Sequence, residues 1–198
     1  MTVEAALPPV AEIVVELERS LCGERMVSPS GLLSLVLELH DSNLRQWDLE
    51  DGTRVPEASD SVVADAKRAI DKLNLTRHHL IQEIDAAVHA NLRQSTTATL
   101  ATESPGMVFD RLSVLIIRIA RTAEMARSVS DGPDVYGGRL PSLQRQLAAL
   151  SEALESLLRE VRDGTRRFLP YEHLKLYAAQ PGTQSGSSRT GGGDSPPG

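Results

Sequence analysis

Apolar side chains recur along this chain at steps of three and four, interrupted at intervals by glycine, proline and short polar runs. Val10, Ile13, Val14, Leu17 and Leu21 mark one helical face, with Pro9 suited to a first turn and Gly23 to an end. After a Ser28-Pro29-Ser30 turn, Leu32, Val36, Leu39, Asn43 and Trp47 share a second face that runs on toward Glu50, Asp51 and Arg54, and Gly52 and Pro56 argue that this helix stops there. From about Ser59 to Asn91 the series Val63, Ala66, Ile70, Leu73, Arg77, Leu80 and Ile84 holds helical spacing without a breaker, which predicts the longest helix.

The Thr- and Ser-rich stretch from Ser95 to Ser104 breaks the pattern. Ser104 can then cap a helix whose first-turn residue is Pro105. Val108, Leu112, Leu115, Ile119 and Ala123 form its main face, and Val114, Ile116 and Ile117 make it apolar nearly all round, as a central helix requires; a short strand through Val114–Ile119 is the alternative. Asp131-Gly132-Pro133 and Gly137-Gly138 mark a loop. Leu140, Leu143, Leu147, Leu150, Leu154, Leu157 and Val161 then alternate steps of three and four, a heptad seam that permits a homodimer interface as well as burial within one bundle. Gly164 suits the end of that helix, and Pro170 can start a last short one through Tyr177.

The spacing therefore predicts an all-α fold: a single bundle of about five to six helices over residues 1–179. Residues 180–198 are dominated by Gly, Ser, Pro and Thr, which offer almost no apolar surface to offset the entropy of ordering, and predict a disordered tail. A chain of 198 residues is long enough to bury one core without metals or disulfides. The single cysteine, Cys22, cannot form an internal disulfide, and the N-terminus lacks the basic start and apolar stretch of a signal peptide. The most apolar run, Val114 to Ala120, is short and contains Arg118, so no transmembrane segment is expected and a cytoplasmic location is.

The net charge of −6 and the 3% aromatic content, without a basic run interleaved with stacking side chains, argue against a nucleic-acid partner. Arg166-Arg167 reads as an ordinary solvated helix end, where positive charge favours the dipole. A Gly-rich phosphate loop, a nucleophile elbow and zinc-type Cys/His spacing are all missing from the sequence.

The informative feature is polar residues on stripes that should be core. Asn43, Glu50 and Arg54 extend the stripe of Val36, Leu39 and Trp47, while Lys67, Asp71, Asn74, His78, Ile81 and Asp85 share a stripe beside the one containing Arg77. Asp110 and Arg111 stand one turn inside the Pro105-Gly106 start. Buried alone, such charges cost several kcal/mol each, so those that enter the bundle must pair with one another or with a ligand. The bland reading is a solvated face with pairs such as Lys67 with Asp71. A transition-metal centre is disfavoured: there is no Glu-x-x-His pair, and adjacent His78 and His79 point about a third of a turn apart. A magnesium site from Glu50, Asp51 and Asp71 is harder to dismiss, because magnesium keeps several waters and needs few carboxylates.

The segment Asn43 to Arg54 resembles the N-x-x-x-W-x-x-E-D-x-x-R signature of a bacterial family catalogued as domain of unknown function 4254. Lys67-Arg68-Ala69-Ile70-Asp71, then Asn74, Arg77 and Ile84-Asp85, resemble its long-helix motif, and Glu103-Ser104-Pro105-Gly106-Met107 with Asp110-Arg111-Leu112-Ser113 resembles its E-T-P-G-M-x-x-D-R-L-S motif. Gly164, Tyr171, Lys175 and Tyr177 match its closing pattern. His78-His79 stand where the family has a polar pair, and Ser104 where it has threonine. The resemblance implies an all-helical protein, often encoded near bacterial surface-polysaccharide and glycosyltransferase genes.

It also gathers Glu50, Asp51, Arg54, Arg68, Asp71, Arg77, Asp110 and Arg111 into one expected constellation. Two functional expectations follow. One is an accessory or binding protein in glycan or glycoconjugate biosynthesis, holding a glycosyltransferase or another pathway enzyme. The other is a magnesium-dependent enzyme acting on a nucleotide, sugar nucleotide or phosphosugar, with Glu50, Asp51 and Asp71 on the metal, Arg54, Arg77 and Arg111 on phosphates and Asp110 as base. Asn43, Trp47, Arg68 and Asn74 complete the candidate ligand-binding set.

Overall fold

The computed structural model describes residues 7–24, 29–54, 59–128 and 136–173. Over these residues the chain is a five-helix bundle: α1 (Val10–Leu21), α2 (Gly31–Thr53), α3 (Asp60–Asn91), α4 (Pro105–Ser128) and α5 (Leu140–Arg162). The helix bounds follow the sequence signals closely. Pro9 precedes α1, Gly23 follows it at φ 77°, and Gly164 closes α5 at φ 72°, a conformation that only glycine adopts without strain. At the head of α4 the Ser104 hydroxyl accepts from the Met107 N–H at 3.4 Å, a long but correctly placed cap. Residues 114–119 are helical, which settles the strand alternative.

The core runs down the axis of the bundle. Ile13 and Leu17 of α1, Val36 and Leu39 of α2, Ile84 and Val88 of α3, Phe109 and Leu112 of α4, and Leu154 and Val161 of α5 are all essentially inaccessible to solvent. Each contributes about 1.5–3 kcal/mol on burial. α2 packs most extensively against α3, while α4 touches every other helix and is buried on most of its circumference, as its nearly continuous apolar run requires. The leucine seam of α5 is covered unevenly. Leu154, Leu158 and Val161 are buried, whereas Leu143, Leu147, Leu150 and Leu157 are only partly covered, because the first half of α5 stands away from α4 and lines open grooves.

Three features depart from the sequence expectation. Thr99–Leu100 and Arg166–Arg167 form a two-residue parallel ladder, β1 and β2, with the Ala101 N–H donating to the Arg167 carbonyl at 2.7 Å. Arg166 and Arg167 are therefore strand residues rather than a solvated helix end: Arg166 Nε donates to Glu160 at 2.9 Å and Arg167 Nε to the Ala98 carbonyl at 3.1 Å. Gly137–Arg139 form a 3₁₀ turn where a loop was expected. Residues 168–173 are not helical, because side chains recruit their backbone: Gln94 accepts from the Phe168 N–H at 2.6 Å and Asp85 from the Tyr171 N–H at 2.8 Å. The remainder of the expected last helix, the residues Lys175 and Tyr177, the Asp131-Gly132-Pro133 loop, Ser28, Pro56 and the tail at 180–198 lie outside the described residues. Among the described residues no helix is long and apolar enough to cross a membrane.

Candidate functional site

The polar stripes meet where α2, α3 and α4 converge. Asn43 and Asp110 are buried, and the Asn43 amide donates to Asp110 Oδ1 at 3.1 Å and to the Ser113 hydroxyl at 3.0 Å. Ser113 in turn lies 2.9 Å from His40 Nδ1. Arg77 reaches across from α3 and grips Asp110 with two parallel bonds, Nε to Oδ1 at 2.6 Å and Nη2 to Oδ2 at 2.5 Å. This fork-to-fork geometry is the strongest form of an ion pair between side chains. The bonds to Asp110, reinforced by its charge and by nearby Glu50, raise the Arg77 pKa against the opposing effect of burial, so the guanidinium stays charged. Nη1 of Arg77 has no hydrogen-bond partner among the described residues.

A second network fixes the head of α4. Asp85 of α3 is wholly buried and accepts from the Gly106 N–H at 2.7 Å and from the Tyr171 N–H at 2.8 Å. Burial raises its carboxyl above the ordinary range, while the nearby Ser104 hydroxyl and the two backbone donors work the other way. Beside it, the Tyr171 hydroxyl lies 2.8 Å from His78 Nδ1, and the His78 ring stacks on His173 at 3.9 Å between centroids. Burial first, then the charges of His173 and Arg77, lower the His78 pKa. The segment 168–173 is thus strapped to α3 through Asp85 and His78.

Two open cavities flank the charged centre. The first, of about 640 Å³, lies between α4 and α5 and is lined by Arg77, Asp110, Arg111 and Arg118 together with Gln146 and the small or apolar residues Val114, Leu115, Ala149, Leu150 and Ala153. The second, of about 820 Å³, is lined by Trp47, Asp51, Arg54, Arg118, Arg121, Tyr136 and Arg139, among others. Arg118 lines both, and it has no carboxylate partner among the described residues.

The structure brings together part of the expected constellation. Asn43, Arg77 and Asp110 form one bonded unit, and Arg111 lines the first cavity while pairing with Glu103 at 2.5 Å. Trp47, Asp51 and Arg54 line the second, where the indole N–H donates to Asp51 at 2.8 Å and Arg54 pairs with the same carboxylate at 3.1 Å. Arg68 and Asp71 stand apart: Arg68 pairs with Asp65 and Asp71 with Lys67 on the exposed face of α3. Asn74 is half-buried and lines neither cavity.

The magnesium trio does not assemble. Among the described residues no group of three or more His, Cys, Asp or Glu side chains is placed to hold a metal ion. Glu50 and Asp51 both face Arg54 of their own helix, and Asp71 is held by Lys67 one turn away. Asp110 accepts three hydrogen bonds, two at Oδ1 from Arg77 and Asn43 and one at Oδ2 from Arg77, and the bidentate pair with a guanidinium makes it a weak base.

Asp85 stood on the polar stripe of the long helix, but neither it nor Ser113 nor Arg118 was among the candidate site residues. Asp85 and Ser113 carried a signal, because both stand within the segments that resemble the family motifs. Arg118 carried another, as the one charge that interrupts Val114 to Ala120.

The chain belongs to the family described as protein of unknown function, DUF4254, whose sequence model matches residues 33–169. This span runs from the first turn of α2 through β2 and takes in every residue of the bonded charged centre. No curated protein and no solved structure shows significant similarity to the chain.

Proposed function

We propose that the protein binds a small phosphate-bearing ligand in the groove between α4 and α5, and that it does so as a binding or accessory protein rather than as an enzyme. The observation that carries this reading is the arginine set. Arg77, Arg111 and Arg118 line one cavity whose only lining acid, Asp110, is already bonded to Arg77. Guanidinium groups recognise phosphate by bidentate hydrogen bonds; Arg77 is paired with Asp110 and Arg111 with Glu103, so Arg118 supplies the charge of this groove that no carboxylate among the described residues offsets. A volume of about 640 Å³ suits a metabolite.

Binding is favoured over magnesium-dependent turnover by the chemistry of the side chains. The acids that would hold the metal are paired with bases on their own helices, and the acid that would act as base is held as an acceptor. The resemblance to a family encoded near surface-polysaccharide genes supports a cytoplasmic setting in bacterial glycan or glycoconjugate biosynthesis. Phosphosugars and sugar nucleotides are the ligands of that chemistry, and a glycosyltransferase or another enzyme of that pathway is the partner we propose.

The test is thermal unfolding against inorganic pyrophosphate, a hexose phosphate and nucleotides, with and without magnesium. A ligand at about a hundred times its dissociation constant stabilises by about 2.7 kcal/mol, raising the midpoint of a domain this size by roughly 5 to 10 °C. Arg118→Ala should diminish the shift without moving the unliganded midpoint, because this side chain has no carboxylate partner to lose among the described residues. A panel without shifts, or shifts undiminished in Arg118→Ala, would overturn the proposal.

A further inference from the structure

The second cavity differs from the first in carrying aromatic rings. The chain has one tryptophan, three tyrosines and two phenylalanines. Phe109 and Phe168 are core, Tyr171 is bonded to His78, and Tyr177 lies outside the described residues. Trp47 and Tyr136 remain, and both line this one cavity of about 820 Å³. In a chain so poor in rings, that placement is a local enrichment of stacking surface.

The charges beside them are of two kinds. Arg54 is neutralised by Asp51, and Arg121 by Asp48 and Glu124. Arg118 and Arg139 have no carboxylate partner among the described residues, and the Arg139 guanidinium instead sits over the Tyr136 ring at 5.9 Å from its centre. Two guanidinium groups without a carboxylate partner among the described residues therefore stand at the same cavity as the two rings, and one of them, Arg118, also lines the α4–α5 groove. A ligand matched to this layout has a flat aromatic part at one end and phosphate charge beside it. It also has room for a polar group beyond Arg118, toward Gln146 and Asp110.

We infer that the cavity between Trp47 and Tyr136 takes the base of a nucleoside diphosphate whose phosphates are held by Arg118 and Arg139. The inference rests on the phosphate-binding reading of the groove and adds the chemical class of the ligand. Stacking on an aromatic ring tolerates any base, so the site selects for a nucleotide rather than for one particular base.

The experiment is calorimetric titration of the full chain with ADP, UDP, inorganic pyrophosphate and adenosine, paralleled by fluorescence of Trp47, the only tryptophan. The diphosphates should bind roughly 10- to 100-fold more tightly than pyrophosphate. They should change Trp47 emission, which pyrophosphate should leave unaltered. Tyr136→Ala should bring ADP down to the affinity of pyrophosphate while pyrophosphate binding is retained, which also reports that the variant is folded; Arg118→Ala should weaken both. Equal affinities for ADP and pyrophosphate, with Tyr136→Ala indifferent, would overturn the nucleotide inference and leave the phosphate groove standing. Absence of binding by either would overturn both.

Discussion

Gly106 lets the head of α4 approach α3 more closely than a side chain would allow, and replacing it tests whether the head of α4 is fixed as described. A Cβ at this position would lie 2.5 Å from the Ile81 carbonyl oxygen and 2.9 Å from Asp85 Oδ1. The Ile81 oxygen belongs to the backbone of α3 and cannot retreat without breaking that helix, so α4 must move away and loosen the 2.7 Å bond from the Gly106 N–H to Asp85. Overpacking of this kind costs about 1–3 kcal/mol. Weakening a hydrogen bond to a charged group costs about 1.5–3 kcal/mol. Against these, alanine gains at most about 1 kcal/mol of helix propensity. The net effect of Gly106→Ala should be destabilisation by about 2–4 kcal/mol, or a midpoint lower by roughly 5 to 15 °C. Gly52→Ala is the control, because a Cβ there meets nothing within 4 Å and should gain a few tenths to about 1 kcal/mol. Urea unfolding of both variants decides the matter. A Gly106→Ala protein within about 0.5 kcal/mol of wild type would refute the close approach.

Asp110→Ala should cost about 2–4 kcal/mol in urea unfolding, since it leaves Arg77 and Asn43 without their acceptor in a half-buried setting; a smaller loss for Asp110→Asn would separate the charge from the hydrogen bonds. Lys67→Ala and Arg68→Ala should each stay within about 0.5 kcal/mol of wild type, because their ion pairs with Asp71 and Asp65 are exposed. Burial raises the Asp85 carboxyl above the roughly 3.9 of an unfolded aspartate, so its contribution to stability is fully present below that value and is lost as pH rises through the higher folded value. The stability advantage of wild type over Asp85→Asn, followed by urea unfolding across this range, should therefore narrow as pH rises, and an advantage that widens would contradict the shift. His78 is shifted the other way: its contribution is present above about pH 6.5 and is lost as pH falls through the lower folded value. Stability measured from pH 7.5 down to 5 should decline less steeply in His78→Gln than in wild type.

The helices were legible because each has a long apolar period and a glycine, proline or serine at its end, as Pro9, Gly23, Ser104 and Gly164 illustrate. The β1–β2 ladder was not, since two residues carry no period and their pairing depends on Arg166 lying opposite Thr99 after three intervening elements. The polar stripes told which residues break the core pattern but not which ends of the helices are covered. Asn43 and Asp71 stand on comparable stripes, yet Asn43 is buried against α4 whereas Asp71 faces solvent beside Lys67. Spacing cannot separate the two, because coverage depends on where the neighbouring helix stops. The partners of Asp85 were opaque for a further reason: they are the backbone N–H groups of Gly106 and Tyr171, which any residue type other than proline would supply.

The buried polar unit of Asn43, Asp110, Ser113 and Arg77 gives the bundle little stability that apolar side chains of equal volume could not supply. Its geometry gives something those side chains could not. Asp110 engages Nε and Nη2 of Arg77, which fixes the plane of the guanidinium, and Asn43 fixes Asp110 from the opposite helix, so three helices determine the orientation of one cation. The edge left over, at Nη1, belongs to a side chain that lines the cavity between α4 and α5. An arginine held in this way loses little further rotamer freedom when it meets an anion, whereas Arg118, with no carboxylate partner among the described residues, would be ordered by the proposed ligand. In the proposed binding mode the two serve the same groove differently: Arg77 presents a fixed donor edge, and Arg118 closes on the anion which that edge orients.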